Sequence, residues 1–289
     1  MLKRELEKID NEERREKDRE FFKNYFGAHT KFCYSGVNGT RFLDAYRKKK
    51  KDPTIKLLSL PTIIFDKTKT ITNVVDAEFA SKIYSFLEEQ NVSLTTLFSF
   101  AYRTYLSAVN NRAEEIFFED ILDHRSTLAE RNCGGNRATG AFLITNFPES
   151  TSFKEALAET SKTLMQIYAH IELPHFEVDA IMREVVNVAN PAEQPSAMII
   201  SCMPPVPFPE ELKEWNPDFK GFSNGHFPML DYTIIVPDER TGEITFHYEY
   251  NVHYLSEEII GKMHNYILKA IEMGINDPNV TIGEIMDTL

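Results

Sequence analysis

Chemistry in this chain has to come from a small set of polar residues, and the most suggestive is Asp123-His124-Arg125, which directly follows an apolar run at 115–122. Strand ends of this kind are where α/β proteins place working groups. His124 has two readings. It shapes a cleft or contacts an anion, or else Asp123 and Arg125 pair to hold the loop and His124 is a surface group. Glu119 and Asp120 break the apolar run just before it, which suits a sheet interior ending at a polar site or loop. The connection at 123–140 also carries Gly134, Gly135 and Gly140. Its stretch Asn132-Cys133-Gly134-Gly135-Asn136 suggests an anion nest or a cysteine nucleophile, but no strand-to-helix turn precedes it, so it reads as a turn or loop.

Other nucleophile and ligand patterns are missing. There is no G-x-S-x-G elbow, no phosphate-binding G-x-x-x-x-G-K and no G-x-G-x-x-G. None of the eight histidines falls in H-E-x-x-H spacing. His170 and His175 do not share a helical face, and Pro174 lies between them. No metal site is expected.

The elements that hold these residues follow from periodicity. Residues 2–26 read as a charged helix with Leu2, Leu6 and Ile9 as a narrow stripe and Phe21, Phe22, Tyr25 and Phe26 as an anchor, ended by Gly27. Its charged start is either solvent-exposed or once packed against something else. Short strands follow near 55–60 and 69–75. Asp76 caps a helix that stops near Asn91, and Ser93 caps a second, apolar on more than one side, running to about Asn110. A strand at 141–146 precedes a capping box, Ser152 with Glu155, and Pro174 opens a helix at 174–187. A strand at 197–202 is followed by a proline-interrupted segment, 203–227, expected to be a lid-like loop or a crossover. Ile244, Phe246, Tyr248 and Tyr250 alternate with polar residues as a half-buried strand, paired with 230–236 across the turn at 238–242. Ser256 caps a closing helix with Ile260, Met263, Ile267 and Ile271 inward. The expected fold is α/β, a mixed β-sheet flanked by helices.

Composition narrows the function classes. With 289 residues the chain can bury a sizeable core. Its net charge of -12, from 44 acidic and 32 basic residues, opposes a broad nucleic-acid surface. The one basic block, Arg47 to Lys51, is a solvated flank or a local docking patch. Three scattered cysteines, Cys33, Cys133 and Cys202, form no disulfide framework and fit a reducing, cytoplasmic setting. No signal peptide and no membrane span are expected.

Several segments, in order, resemble the C-terminal half of the condensation domain of nonribosomal peptide synthetases, within the chloramphenicol-acetyltransferase-like superfamily. Thr139 to Pro148 is similar to the family's I-G-x-F-V-N-T at Gly140, Phe142 and Asn146. Asp123 to Ser126 stands where the family has a G-x-P-x-x-x-R-like loop. His170 to Glu177 resembles H-Q-D-Y-P-F-E, with His175 as an extra residue. Leu230-Asp231-Tyr232 is similar to the F-D-L strand start, and Phe246 to Asn251 to the I-x-Y-N strand. Asp277-Pro278 and Ile282 to Ile285 fit the closing segment, and Asp18 to Phe26 the helix before the second lobe.

The resemblance implies a division into a linker helix, 1–26, and a lobe, 27–289. It implies one wall of a tunnel for a carrier protein's phosphopantetheine arm, used in peptide-bond formation between thioester-bound aminoacyl or peptidyl groups. It implies a peptidyl or aminoacyl carrier protein and a separate N-terminal lobe as partners, and no tightly bound cofactor. Asp123, His124, Arg125, Gly140, Asn146 and Asp231 are the cleft or structural residues it picks out. The family's H-H-x-x-x-D-G motif is absent, since no two histidines are adjacent. No catalytic residue is therefore assigned, and the lobe is expected to be inactive alone. The alternatives are a lobe of a coenzyme A-dependent O- or N-acyltransferase and a noncatalytic partner-binding lobe.

Overall fold

A computed structural model describes residues 11–29, 33–34, 36–37, 39, 47–48, 51–53, 58–59, 67–125, 130, 137–187, 193–194, 198–203, 231–238, 240–252 and 255–289. Residues 2–10 of the expected N-terminal helix, the Asn132–Asn136 stretch and the 203–227 segment beyond Met203 lie outside the described residues.

Helix α1 spans Glu12–Ala28, with the Asn11 side chain accepting the Arg14 amide at its start. It runs past the expected stop at 26. Gly27 does not take a positive φ, so it cannot act as a left-handed terminator, and His29 caps the helix instead. The short strands β1 (Cys33–Tyr34) and β2 (Leu58–Ser59) precede β3 (Thr68–Val75). Asp76 then starts α2 (Ala77–Gln90) by accepting the Phe79 amide at 2.9 Å, and Asn91 ends it at φ 53°. Ser93 likewise caps α3 (Leu94–Val109), which is buried from Thr96 through Ser107. The all-round apolar pattern of α3 thus reflects a helix enclosed between layers.

Strands β4 (Glu115–Asp123) and β5 (Ala138–Asn146) form an antiparallel hairpin in register from Glu115↔Asn146 to Asp123↔Ala138. The capping box of Ser152 and Glu155 opens α4 (Phe153–Ala169), and Pro174 is the N-cap of α5 (His175–Val186). After β6 (Glu193–Gln194) come β7 (Met198–Cys202), β8 (Asp231–Pro237) and β9 (Ile244–Asn251). Ser256 caps α6 (Glu257–Asn276), and a Thr281–Glu284 capping box opens α7 (Ile282–Met286).

The main sheet is mixed. β7 runs parallel to both β4 and β8, while β9 is antiparallel to β8 and to β3. β5 occupies one whole edge of β4, so β1 and β7 share its other edge, at Ile116–Phe117 and Glu119–Ile121 respectively. β2 and β6 make a separate pair.

Alternation along the strands separates two faces. On one, Ile116, Phe118, Leu143, Phe246 and Tyr248 join α2, α3, α4 and α6 in the main core. On the other, Phe117, Phe142 and Ile144 join Phe22 and Phe26 of α1 with Val178, Ile181 and Met182 of α5. Strand β9 is buried more fully than its alternation suggested. His247, on its supposedly polar face, is also buried and lies 3.1 Å from Thr72 Oγ1.

Candidate functional site

The polar residues gather where β4 ends and β5 begins. Past the last ladder pair, the His124 amide donates to Arg137 O at 3.0 Å and Arg137 Nε donates to His124 O at 3.1 Å. The hairpin therefore continues one step beyond the strands and fixes the backbone at His124. Asp123 pairs with Arg125 at 2.6 Å. His124 is more than a surface group, because its Nε2 lies 3.1 Å from Glu172 Oε1, in the turn between α4 and α5.

Gly140 is opposite Ile121 in the ladder, on the face that α5 covers. A Cβ here would fall against Glu119 Oε1 and only 2.8 Å from His175 Cε1. The glycine thus makes room for two side chains. His175 Nδ1 is 3.0 Å from Gly140 O. A carbonyl oxygen only accepts, so Nδ1 carries the proton. Nε2 then faces Glu119 Oε1 at 3.6 Å.

Glu119 and Asp120 are adjacent in sequence but on opposite faces of the sheet. Burial, reinforced by the nearby charges of Asp179 and Asp120, pushes the Glu119 carboxyl up to about 8. Burial pushes Asp120 up to about 7, although Ser99 Oγ donates to its Oδ2 at 2.5 Å. Asp120 Oδ1 makes no well-formed hydrogen bond, and the neighbouring Ile121 amide offsets only part of the burial. Burial thus raises both carboxyls towards neutral pH while keeping them from solvent.

On the Asp120 side, two adjoining clefts of about 330 Å³ and 220 Å³ open between the start of α3 and the end of α4. They share Ser93, Thr95 and Tyr168. The smaller reaches Asp123, Cys202 and Met203 at the ends of β4 and β7.

Of the residues singled out from sequence, Asp123, His124, Arg125 and Gly140 come together. Asn146 does not. It is exposed at the far end of β5, six residues or about 20 Å from Gly140. Asp231 opens β8 level with Met198, two strands from β4 and one step before the level of Glu119, and its side chain lies outside the described residues. Glu119, Asp120, Glu172 and His175 complete the cluster without having been selected. The two acids inside an apolar run were the signal for the first pair. His170 and His175 are separated as expected, His170 Nδ1 donating to Asp18 Oδ1 at 2.7 Å. Among the described residues, no group of three or more His, Cys, Asp or Glu side chains could hold a metal ion. No described helix is long and apolar enough to cross a membrane.

No protein-family model and no curated protein matches this chain. Solved structures do. SgcC5 from Streptomyces globisporus matches with a TM-score of 0.72 at 15% identity, covering 96% of this chain and 59% of that one. The condensation domain from the Monacolin K polyketide synthase MokA gives 0.69 at 13%, covering 97% and 61%. The first condensation domain of the CDA synthetase gives 0.65 at 14%, covering 94% and 53%. The chain thus has the mixed-sheet, condensation-domain fold of the chloramphenicol-acetyltransferase type, and spans little more than half the length of these relatives.

Proposed function

We propose that this chain acts as the second-lobe half of a condensation-type transferase, and that it builds one wall of a passage for acyl or aminoacyl groups carried as thioesters on a phosphopantetheine arm. The observation that carries this reading is the fold likeness over nearly the whole chain combined with coverage of only 53% to 61% of the matched condensation domains. The polar end of β4, with His124 and Arg125 fixed by Glu172 and Asp123, supports it as the edge such a wall would present to the reacting groups.

The chemistry assigns the lobes different work. An amine or hydroxyl attacking a thioester must lose a proton, and the oxyanion that forms needs stabilisation. His175 is not placed for proton removal, since Gly140 O engages its Nδ1 and Glu119 faces its Nε2. A base from a partner lobe carrying H-H-x-x-x-D-G would do so. The parts played by Asp123, His124 and Arg125 are to shape the cleft edge and to hold its loop.

The test combines the purified chain with a matching first lobe and measures transfer between two carrier-bound thioesters. Transfer by the pair, absent from either half, supports the reading. A correctly assembled pair without transfer rejects it. Transfer from coenzyme A thioesters with no need of a carrier protein would instead establish a coenzyme A-dependent acyltransferase. Stable partner uptake without any transfer would leave a binding lobe.

A further inference from the structure

The paired clefts on the α3 face have a one-sided chemistry. Among the described residues that line them, Ser93, Thr95, Thr96 and Ser161 offer hydroxyls, Tyr168 offers a ring and a phenol, Asp123 offers a carboxylate paired with Arg125, and none is Lys, Arg or His. An anion entering here meets no cation among the described lining residues. The apolar rim is exposed, with Met165 at 70% and Tyr168 at 43% of full exposure. Asp120 is wholly buried and lines neither cleft, but it lies close behind them: Ser99, one turn beyond the lining Thr95 in α3, donates to its Oδ2, and its Oδ1 lacks a good hydrogen bond among the described residues. Its charge is felt by Cys202 and by Tyr168, both of which line the smaller cleft.

We propose that this cleft is a binding site for a small organic cation, a primary ammonium on a short apolar stem, with Asp120 as the counter-charge and Tyr168 as the aromatic wall. Three features fit one ligand class. An ammonium donates three hydrogen bonds, and hydroxyl oxygens accept them. A ring face attracts a cation within about 6 Å of its centre. A buried carboxylate attracts a cation more strongly than a solvated one, because the medium around it screens less. The inference does not rest on the transferase reading, because binding is measured on the chain alone.

Binding is linked to protons. The titratable groups facing Asp120 are the Cys202 thiol from β7 and the Tyr168 phenol from α4, both pushed up to about 12 and so neutral near pH 7. Glu119, beside it in β4, acts across the sheet. The Asp120 carboxyl, held at about 7 by burial, is then the group that changes charge under the cleft between pH 6 and 8. A cation favours its ionised form. A ligand that lowers this pKa by one unit binds about tenfold tighter to the ionised than to the protonated protein.

The experiment titrates the chain with butylammonium, and with butanol as the uncharged control, by calorimetry at pH 6 and pH 8. Butylammonium is expected to bind several-fold tighter at pH 8, approaching the tenfold limit of a one-unit shift. Asp120→Asn, which keeps a partner for Ser99, should bind about tenfold more weakly at pH 8 and lose the pH dependence. Met165→Trp, at an exposed position that does not threaten folding, should block the cleft at both pH values. Equal binding of butanol, or full retention of binding and pH dependence in Asp120→Asn, overturns the proposal. A pair of lobes that fails to transfer while the chain still takes up butylammonium would reject the transferase reading and leave this site standing.

Discussion

On the α3 face of the sheet, Phe98 meets Phe246 edge-on at 5.1 Å and Phe100 meets Phe153 at 4.9 Å. On the α1 face, Phe26 lies 6.2 Å from Phe142, inside a much smaller cluster. That smaller cluster is ringed by polar contacts. Arg15 and Arg19 both bind Glu177 of α5, the second at 3.0 Å. Asp18 accepts from His170, and Phe21 stacks on the same imidazole at 3.9 Å. Tyr25 Oη accepts the Ile144 amide at 2.7 Å, on the edge of β5 that β4 leaves open. The difference teaches that one side of this sheet is mainly a large apolar core, with a few buried polar contacts such as Ser99 with Asp120, and the other a small apolar cluster ringed by specific pairs that close over a sheet edge. The first tolerates changes that conserve volume, and the second depends on individual atoms.

The largest expected effect tests the core. Phe98→Ala should lower global stability by about 3–5 kcal/mol in denaturant titration. Phe26→Ala, the same change on the smaller face, should cost less globally and release amide-exchange protection first in α1 and the outer edge of β5. Equal global losses with uniform deprotection would erase the distinction between faces.

Next comes Glu119, the buried acid beneath α5. Its folded pKa, about 8, is raised above the ordinary value of 4.5, so the folded state holds the proton more tightly than the unfolded chain does. Stability from this group is full below 4.5, falls as pH rises towards 8, and is level above that. Glu119→Gln should remove this decline and raise stability above pH 8 by on the order of one to a few kcal/mol. A variant with an unchanged pH profile would mean that Glu119 ionises freely.

Gly140→Ala should cost about 1–3 kcal/mol by overpacking, because the new methyl group meets Glu119 and His175. The variant Gly140→Ala/His175→Ala, with one obstacle removed, should recover part of the loss. Full additivity of the two changes would place them in separate networks.

The smallest effect concerns the edge. Tyr25→Phe keeps the ring but strips the acceptor from the Ile144 amide, at about 1 kcal/mol. Hydrogen exchange at Ile144 should quicken while α3 is unaffected. Unaltered exchange at Ile144 would show that the helix alone, without its hydroxyl, protects the edge.

Much of the fold could be read along the chain. Asp76, Ser93, Ser152 with Glu155, and Ser256 cap the helices where their types and spacings predicted. The β8–β9 hairpin and the inward stripe of α6 followed from periods of two and 3.6 residues. Gly27 misled because a glycine only permits a left-handed stop, and here it stays helical, so the helix runs two residues further to Ala28. Within the site, Asp123, His124 and Arg125 were visible because they follow a strand without interruption. His175 was not, because its meaning depends on Gly140, 35 residues earlier.

What the sequence by itself determined, then, is everything decided within a few residues: which segments coil or extend, where each starts, and which acids interrupt an apolar strand. The tertiary structure alone decided which histidine meets which carboxylate, that Asn146 and Asp231 stand apart from Asp123, and that burial raises the Glu119 and Asp120 carboxyls. The physical reason is range. A cap or a strand period is set by neighbours along the backbone, whereas strand register, burial and the loss of water around a carboxylate are set by residues distant in the chain.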